Sequence, residues 1–133
     1  MVPTVRNQVL FVFLLLAHDR RRILHFNVTA NPTAAWTAQQ VVTPPRSPWQ
    51  NAYVERLIGT IRRECLDHVI VVDERHLRRI LSAYFRYYHE WRTHQALEMD
   101  CPEGRKVQAV DRGRVVQIPE IGGLHHHYER IAA

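Results

Sequence analysis

A chain of 133 residues, 46% hydrophobic and 23% charged, is one globular domain or part of one, large enough for a modest core. Eighteen basic residues against 13 acids leave a net charge of +5, which suits an anionic partner such as DNA. Two cysteines point to free thiols in a reducing compartment, and no apolar run nears the roughly 20 residues that span a bilayer.

Lys106 is the only lysine, so 17 of the 18 cations are arginines. Their planar forks match phosphate oxygens. A genome rich in arginine codons would give the same count without any role in binding. In chain order, Val9 to Leu16 is apolar throughout and predicts a strand buried on both faces. The apolar run to Ala17 carries no basic leader and no small-residue cleavage site, so a core strand in a cytoplasmic protein is expected, with no membrane partner. The polar patch from Ala17 to Arg21 turns the chain. Ile23 to Thr29 then alternates Ile23, His25 and Asn27 against Leu24, Phe26 and Val28, which predicts the antiparallel partner. Asp19 reads as turn chemistry rather than a ligand. His25 reads as a hydrogen-bonded structural histidine.

Asn31-Pro32 breaks the second strand, and Thr33 can cap a short helix through Ala34, Trp36 and Ala38. Val41-Val42 is a brief extended piece before the prolines at 44 and 45. Ser47, Pro48 and Gln50 then suit the N-cap, first turn and capping box of a helix running to about His68. Val54, Leu57, Ile58, Ile61 and Cys65 make its buried stripe. At about 100° per residue, Glu55, Gly59 and Arg62 share the flank of that stripe, an arrangement that suits a metal beside a phosphate. An ordinary amphipathic helix with a solvated edge has the same pattern.

Ile70-Val71-Val72 is a short β-branched run, and Asp73 is a good N-cap for the next helix. Leu77, Leu81, Tyr84, Tyr88 and Trp91 form its stripe, with Arg75, Arg78, Arg79 and Arg86 largely off it. Beyond Pro102 come polar and glycine punctuation, Val115 to Ile118, and a tail containing His125, His126 and His127. Adjacent histidines lack the separated spacing of a zinc site and imply adventitious metal binding at most.

The segment from Thr43 to Asn51, with Tyr53-Val54-Glu55-Arg56, resembles the last active-site block of integrase-core proteins and bacterial insertion-sequence transposases. So do Ile58 to His68, Tyr87-Tyr88-His89, and Arg92-Thr93-His94 with Leu97 and Pro102. The resemblance implies a ribonuclease H-like α/β fold. It also implies three carboxylates holding two divalent metals, Mg²⁺ or Mn²⁺, for in-line attack on a phosphodiester.

Of those carboxylates only Glu55 maps onto this chain, as both catalytic and metal-ligating residue. The text resembles the family from its second strand, and between Gln40 and Val41 it passes from the first helix to the fifth strand. The expected fold is therefore an incomplete ribonuclease H-like α/β fold, a β-hairpin plus packed helices, lacking the first and fourth strands of the family sheet. Residues 1–102 would form the integrase-core-like domain and 103–133 a C-terminal tail. Arg46, Ser47, Gln50, Asn51, Tyr53, Arg56, Arg62 and Arg63 are the candidate DNA contacts, with Arg92 and His94 as a second basic point.

The expected function is a truncated, transposase-like, DNA-binding protein without catalytic competence alone and without productive metal binding. The alternatives are an active metal-dependent polynucleotidyl transferase completed by another chain, and a multimerising inhibitor of full-length transposase. The open edge of Val9–Leu16 would favour a homo-oligomer or association with such a transposase.

Overall fold

The computed structural model describes residues 1–17, 21–40 and 49–132, and for 49–52 the backbone alone. It divides into two compact units, Met1–Ala17 with Ile23–Arg79, and His18–Arg22 with Ile80–Ala133. Asp19, Val41-Val42, Arg46, Ser47 and Pro48 lie outside the described residues. The secondary structure is α/β with small sheets. Among the described residues no helix is long and apolar enough to cross a membrane.

The first unit holds an antiparallel sheet in the order β1 (Val2–Pro3), β2 (Val9–Leu16), β3 (Ile23–Thr29). The expected hairpin is present, but its parity differs from the plain alternation of the sequence. Leu16 pairs with Ile23 and Leu15 with His25, so Leu24 is an extra, bulged residue. Directly opposed residues of an antiparallel pair share a face. The bulge therefore groups Ile23 with Phe26 and Val28, and leaves Leu24 57% exposed. Val2, Leu10, Ile23 and Val28, the buried residues of the sheet, all fall on that one side.

The other side carries Phe11, Phe13, Leu15, His25 and Asn27, none of them buried. Burial of β2 on both faces is thus corrected: only Leu10 is fully enclosed. The physical reason is the cover. Helix α1 (Ala34–Gln40) has seven residues and buries none of them. Its Trp36 meets Phe13 edge-on at 6.3 Å, and Gln40 Oε1 accepts from Asn27 Nδ2 and pairs with His25 Nε2, each at 2.9 Å. The expected cap is there: Trp36 N–H donates to Thr33 Oγ1 at 3.0 Å.

β1 occupies the free edge of β2 only at Val9 and Leu10. Among the described residues no strand pairs with that edge from 11 to 16. The outer edge of β3 is treated differently. Val28 N–H donates to Asn27 Oδ1 at 2.8 Å, and the Val28 carbonyl accepts from the Arg78 guanidinium. Side chains thereby occupy backbone groups that would otherwise template another strand.

Helix α2 spans Trp49–Glu64 and stops short of His68. Cys65 leaves helical geometry, Leu66–His68 tighten into a 3₁₀ turn, and His68 Nε2 lies 2.8 Å from the Arg63 carbonyl freed at the helix end. Leu57, Ile61 and Cys65 are buried as the stripe requires, whereas Ile58 is 42% exposed. Val71 is buried without forming a strand, and its carbonyl accepts from Val5 N–H at 3.0 Å. Asp73 caps helix α3 (Glu74–Glu90) by accepting from His76 N–H at 2.8 Å, and Val72 N–H donates back to His76 Nδ1 at 3.2 Å.

Both cysteines are free and buried. Burial pushes the Cys65 thiol from its ordinary 9.0 up to about 11. The folded state then holds this proton longer than the unfolded chain does. Its contribution to stability is complete below pH 9 and is lost as pH rises from 9 to about 11. Urea unfolding across that window should show a flatter pH profile for Cys65→Ala than for the parent, and superimposable profiles would refute the assignment.

In the second unit, Leu81, Tyr84, Phe85 and Tyr88 of α3 are buried. The region beyond Pro102 is more ordered than its punctuated sequence suggests. β4 (Arg114–Glu120) and β5 (His125–Ile131) pair as a regular antiparallel hairpin. His125 stacks on Tyr87 at 4.8 Å and His127 on Trp91 at 3.8 Å, each with an interplanar angle of 12°. A two-residue step on a strand thus meets a four-residue step on a helix, the spacings at which each element repeats a face. His127 is 9% exposed, and its Nδ1 lies 3.0 Å from Glu120 Oε1, near enough for an ion pair but not aligned as a hydrogen bond. Arg86 reaches the other Glu120 oxygen at 3.3 Å.

Candidate nucleic-acid interface

The candidate site is the solvent side of α2. With Leu57, Ile61 and Cys65 turned inward, a step of about 100° per residue puts Arg56, Gly59 and Arg63 on the opposite side. Arg56 and Arg63 are exposed, as are Glu55 and Tyr53. Gly59 lies under the Arg63 guanidinium, which a methyl group at Gly59 would meet at 3.9 Å, an ordinary contact. The gap read from the sequence is therefore real but narrow, bounded by an arginine rather than by open solvent.

Arg62 sits on the flank with Glu55, as helical spacing requires, but its Nη2 donates to the Met1 carbonyl at 3.1 Å. That hydrogen bond joins α2 to the start of β1, a role no local pattern could reveal. Gln50 and Asn51 occupy the first turn of α2. Arg46 and Ser47 lie outside the described residues.

Arg92 and His94 are brought together, though not on an open surface. The Arg92 guanidinium lies 5.7 Å from the Tyr88 ring centroid and donates to His94 Nδ1 at 3.1 Å. His94 is only 5% exposed and meets Tyr88 edge-on at 4.9 Å. Its backbone pairs with Asp100, whose Oδ1 accepts from the N–H groups of Cys101 and Arg105 at 2.8 and 3.0 Å. Glu103 N–H closes onto the His89 carbonyl at 3.1 Å. Burial lowers the proton affinity of His89, with Arg22 acting in the same direction and Glu103 and Glu90 opposing. This arrangement shapes the turn around the fully buried Cys101 and Pro102.

A two-metal centre needs several acidic oxygens converging on one point. Among the described residues no three His, Cys, Asp or Glu side chains are grouped so as to hold a metal ion. Glu55 is exposed to solvent. The donors described do not fit the pair of Mg²⁺ or Mn²⁺ ions of the family. Alternation along β5 sets His126 on the face opposite His125 and His127, so the three rings do not converge on one point.

Residues 37–102 match the integrase core domain family, covering both the helix with Glu55 and the Arg92–Pro102 turn. That stretch belongs to the integrase core domain family. The chain is more particularly similar to insertion-element proteins. It is 38% identical over 55 residues to the insertion element IS407 uncharacterized 31.7 kDa protein of Burkholderia multivorans, covering 41% of this chain and 20% of that protein. It is 31% identical over 72 residues to the insertion element IS476 uncharacterized 39.2 kDa protein of Xanthomonas euvesicatoria, covering 51% and 21% respectively. The chain thus spans about a fifth of the length of the curated relatives it matches. No solved structure matches it.

Proposed function

We propose that this chain is a transposase-type integrase-core segment that binds duplex DNA through the outer side of α2 and does not cut or join DNA by itself. The observation that carries the binding is the exposed pair Arg56 and Arg63 flanking Gly59, opposite a buried stripe. Guanidinium groups so placed reach phosphates without disturbing the core. Tyr53 is exposed, and Gln50, Asn51, Arg46 and Ser47, which precede it in sequence, complete the proposed set of DNA contacts. Arg62 supports it by holding Met1, and Arg92 is a second, half-buried basic point beside His94.

Support for catalytic silence is that Glu55 belongs to no group of three potential metal ligands among the described residues. In this reading the ribonuclease H-like sheet lacks its first and fourth strands. The core-like region covers 1–102, supported by a family match that ends at residue 102, and 103–133 follows it. The protein acts in the cytoplasm, where mobile-element DNA is found. The edge of β2 at 11–16 that no strand pairs with among the described residues favours a second reading, in which the chain joins another copy or a full-length transposase and inhibits it.

Salt decides the first reading. Affinity for duplex DNA should fall steeply between low and moderate salt, and Arg56→Ala with Arg63→Ala should reduce the logarithmic salt slope by roughly 2. Affinity indifferent to salt, or an unchanged slope in the double variant, would overturn it. Incubation with Mg²⁺ or Mn²⁺ should leave the DNA intact. Cleavage that disappears in Glu55→Gln would instead establish a polynucleotidyl transferase, completed by another chain if it requires one.

A further inference from the structure

The C-terminal hairpin has two outer edges, and its hydrogen bonding shows which groups point away. Arg130 N–H donates to Gln108 Oε1 at 2.5 Å, so the pair Val115–Arg130 turns its backbone groups outward. Alternation along an antiparallel ladder gives the same orientation to Gln117–Tyr128 and Pro119–His126. Pro119, which has no N–H, sits at one of these positions and costs the ladder nothing. On β5 the outward N–H groups of His126 and Tyr128 have no acceptor among the described residues, and Tyr128 is 59% exposed.

We propose that β5 pairs antiparallel with β5 of a second copy of this chain about a twofold axis at His127. In that register His126 opposes Tyr128 of the second copy, and Tyr128 opposes its His126. Each pair exchanges two bonds, roughly four ladder bonds in all. The two unclaimed N–H groups are used and Arg130 keeps its Gln108 partner. A twofold contact must be self-complementary. Here half-buried His125 faces half-buried Glu129 across the axis on one side of the sheet, while tyrosine and histidine rings meet on the other.

The outer edge of β4 lacks this match. Pairing it about Val116 would set Arg114 opposite Ile118 without a charge partner, and Pro119 ends the run of N–H donors. The occupant is therefore another β5. This inference rests neither on DNA binding nor on the open edge of β2.

Size-exclusion chromatography with light scattering, without DNA, is the test. The parent should run at twice the monomer mass at high concentration. Tyr128→Pro should be monomeric, whereas Gln117→Pro, across the same rung on β4, should remain dimeric. To guard against misfolding of the proline variants, His126→Cys and Tyr128→Cys proteins are mixed under oxidising conditions. Narrow antiparallel pairs bring Cα atoms to about 5.5 Å, within disulfide range. The mixture should form a crosslinked dimer, and a mixture of Val115→Cys and Gln117→Cys should not. A parent monomeric at every concentration, a Tyr128→Pro protein that stays dimeric, or crosslinking confined to the β4 pair would each overturn the proposal.

Discussion

Tyr84→Ala is expected to cost about 3–5 kcal/mol of folding free energy, the range for deleting a large aromatic from a core. Tyr84 is wholly buried, and its ring centroid lies 5.9 Å from Phe85, 6.2 Å from His125 and 6.3 Å from both Tyr87 and Tyr88. Removing the ring leaves a void that four aromatic neighbours cannot all fill, because each is already held by another contact. A domain of ordinary stability has only about 5–15 kcal/mol in total, so a loss of this size consumes much of it. Tyr84→Phe keeps the ring and should lose no more than about 1–2 kcal/mol. Urea unfolding measures both. Because His125 would lose a neighbour, amide exchange in β5 should also accelerate in the alanine variant. A loss below about 1 kcal/mol for Tyr84→Ala would show that this cluster is not the core of its unit.

Gly113→Ala should open the hairpin at its terminal rung. Gly113 has φ +129°, and a Cβ built there would lie 2.1 Å from the Ile131 carbonyl oxygen and 2.7 Å from its carbon. Neither atom can yield cheaply, since Ile131 is the ladder partner of Arg114. The Gly113 carbonyl also accepts from Arg130 Nη1 at 3.1 Å, so moving the glycine disturbs a second contact. The dihedral alone costs about 1–3 kcal/mol, and the steric overlap adds to it.

Gly122→Ala separates the two effects. Gly122 has φ +65° with nothing within 4 Å of the added methyl, so that variant carries the dihedral strain without the overlap. Thermal unfolding should rank Gly113→Ala well below Gly122→Ala, with amide exchange of Arg114 and Ile131 approaching that of an unfolded chain. Equal stability of the two variants would remove the steric argument.

The two variants also bear on how much of this molecule its sequence discloses. Thr33 and Asp73 declare their helices because a cap is a matter of three or four adjacent residues. Val9–Leu16 and Ile23–Thr29 declare a hairpin through composition and a polar turn. Buried Leu57, Ile61, Cys65, Leu77, Leu81, Tyr84 and Tyr88 follow from helical spacing, and exposed Arg56 and Arg63 follow with them. The motif around Glu55 and the Arg92–Pro102 turn disclosed the family, which the match over residues 37–102 shows.

Tertiary structure decided the remainder, wherever the partner is remote in sequence. The bulge at Leu24 turns Ile23 inward beside Phe26 and Val28 and leaves Leu24 outside, and a periodicity of two has no means of announcing an extra residue. Arg62 binds the Met1 carbonyl 61 positions away, so its chemistry could not be told from that of its neighbour Arg63. His94, on paper a basic contact, is buried against Tyr88 because the chain reverses at Asp100. The histidines of the tail lie in a strand paired with β4, and two of them stack on Tyr87 and Trp91, partners that no local pattern names. Local residue order sets caps, stripes and turns. The fate of a polar or aromatic side chain is settled by whichever distant group meets it when the chain closes.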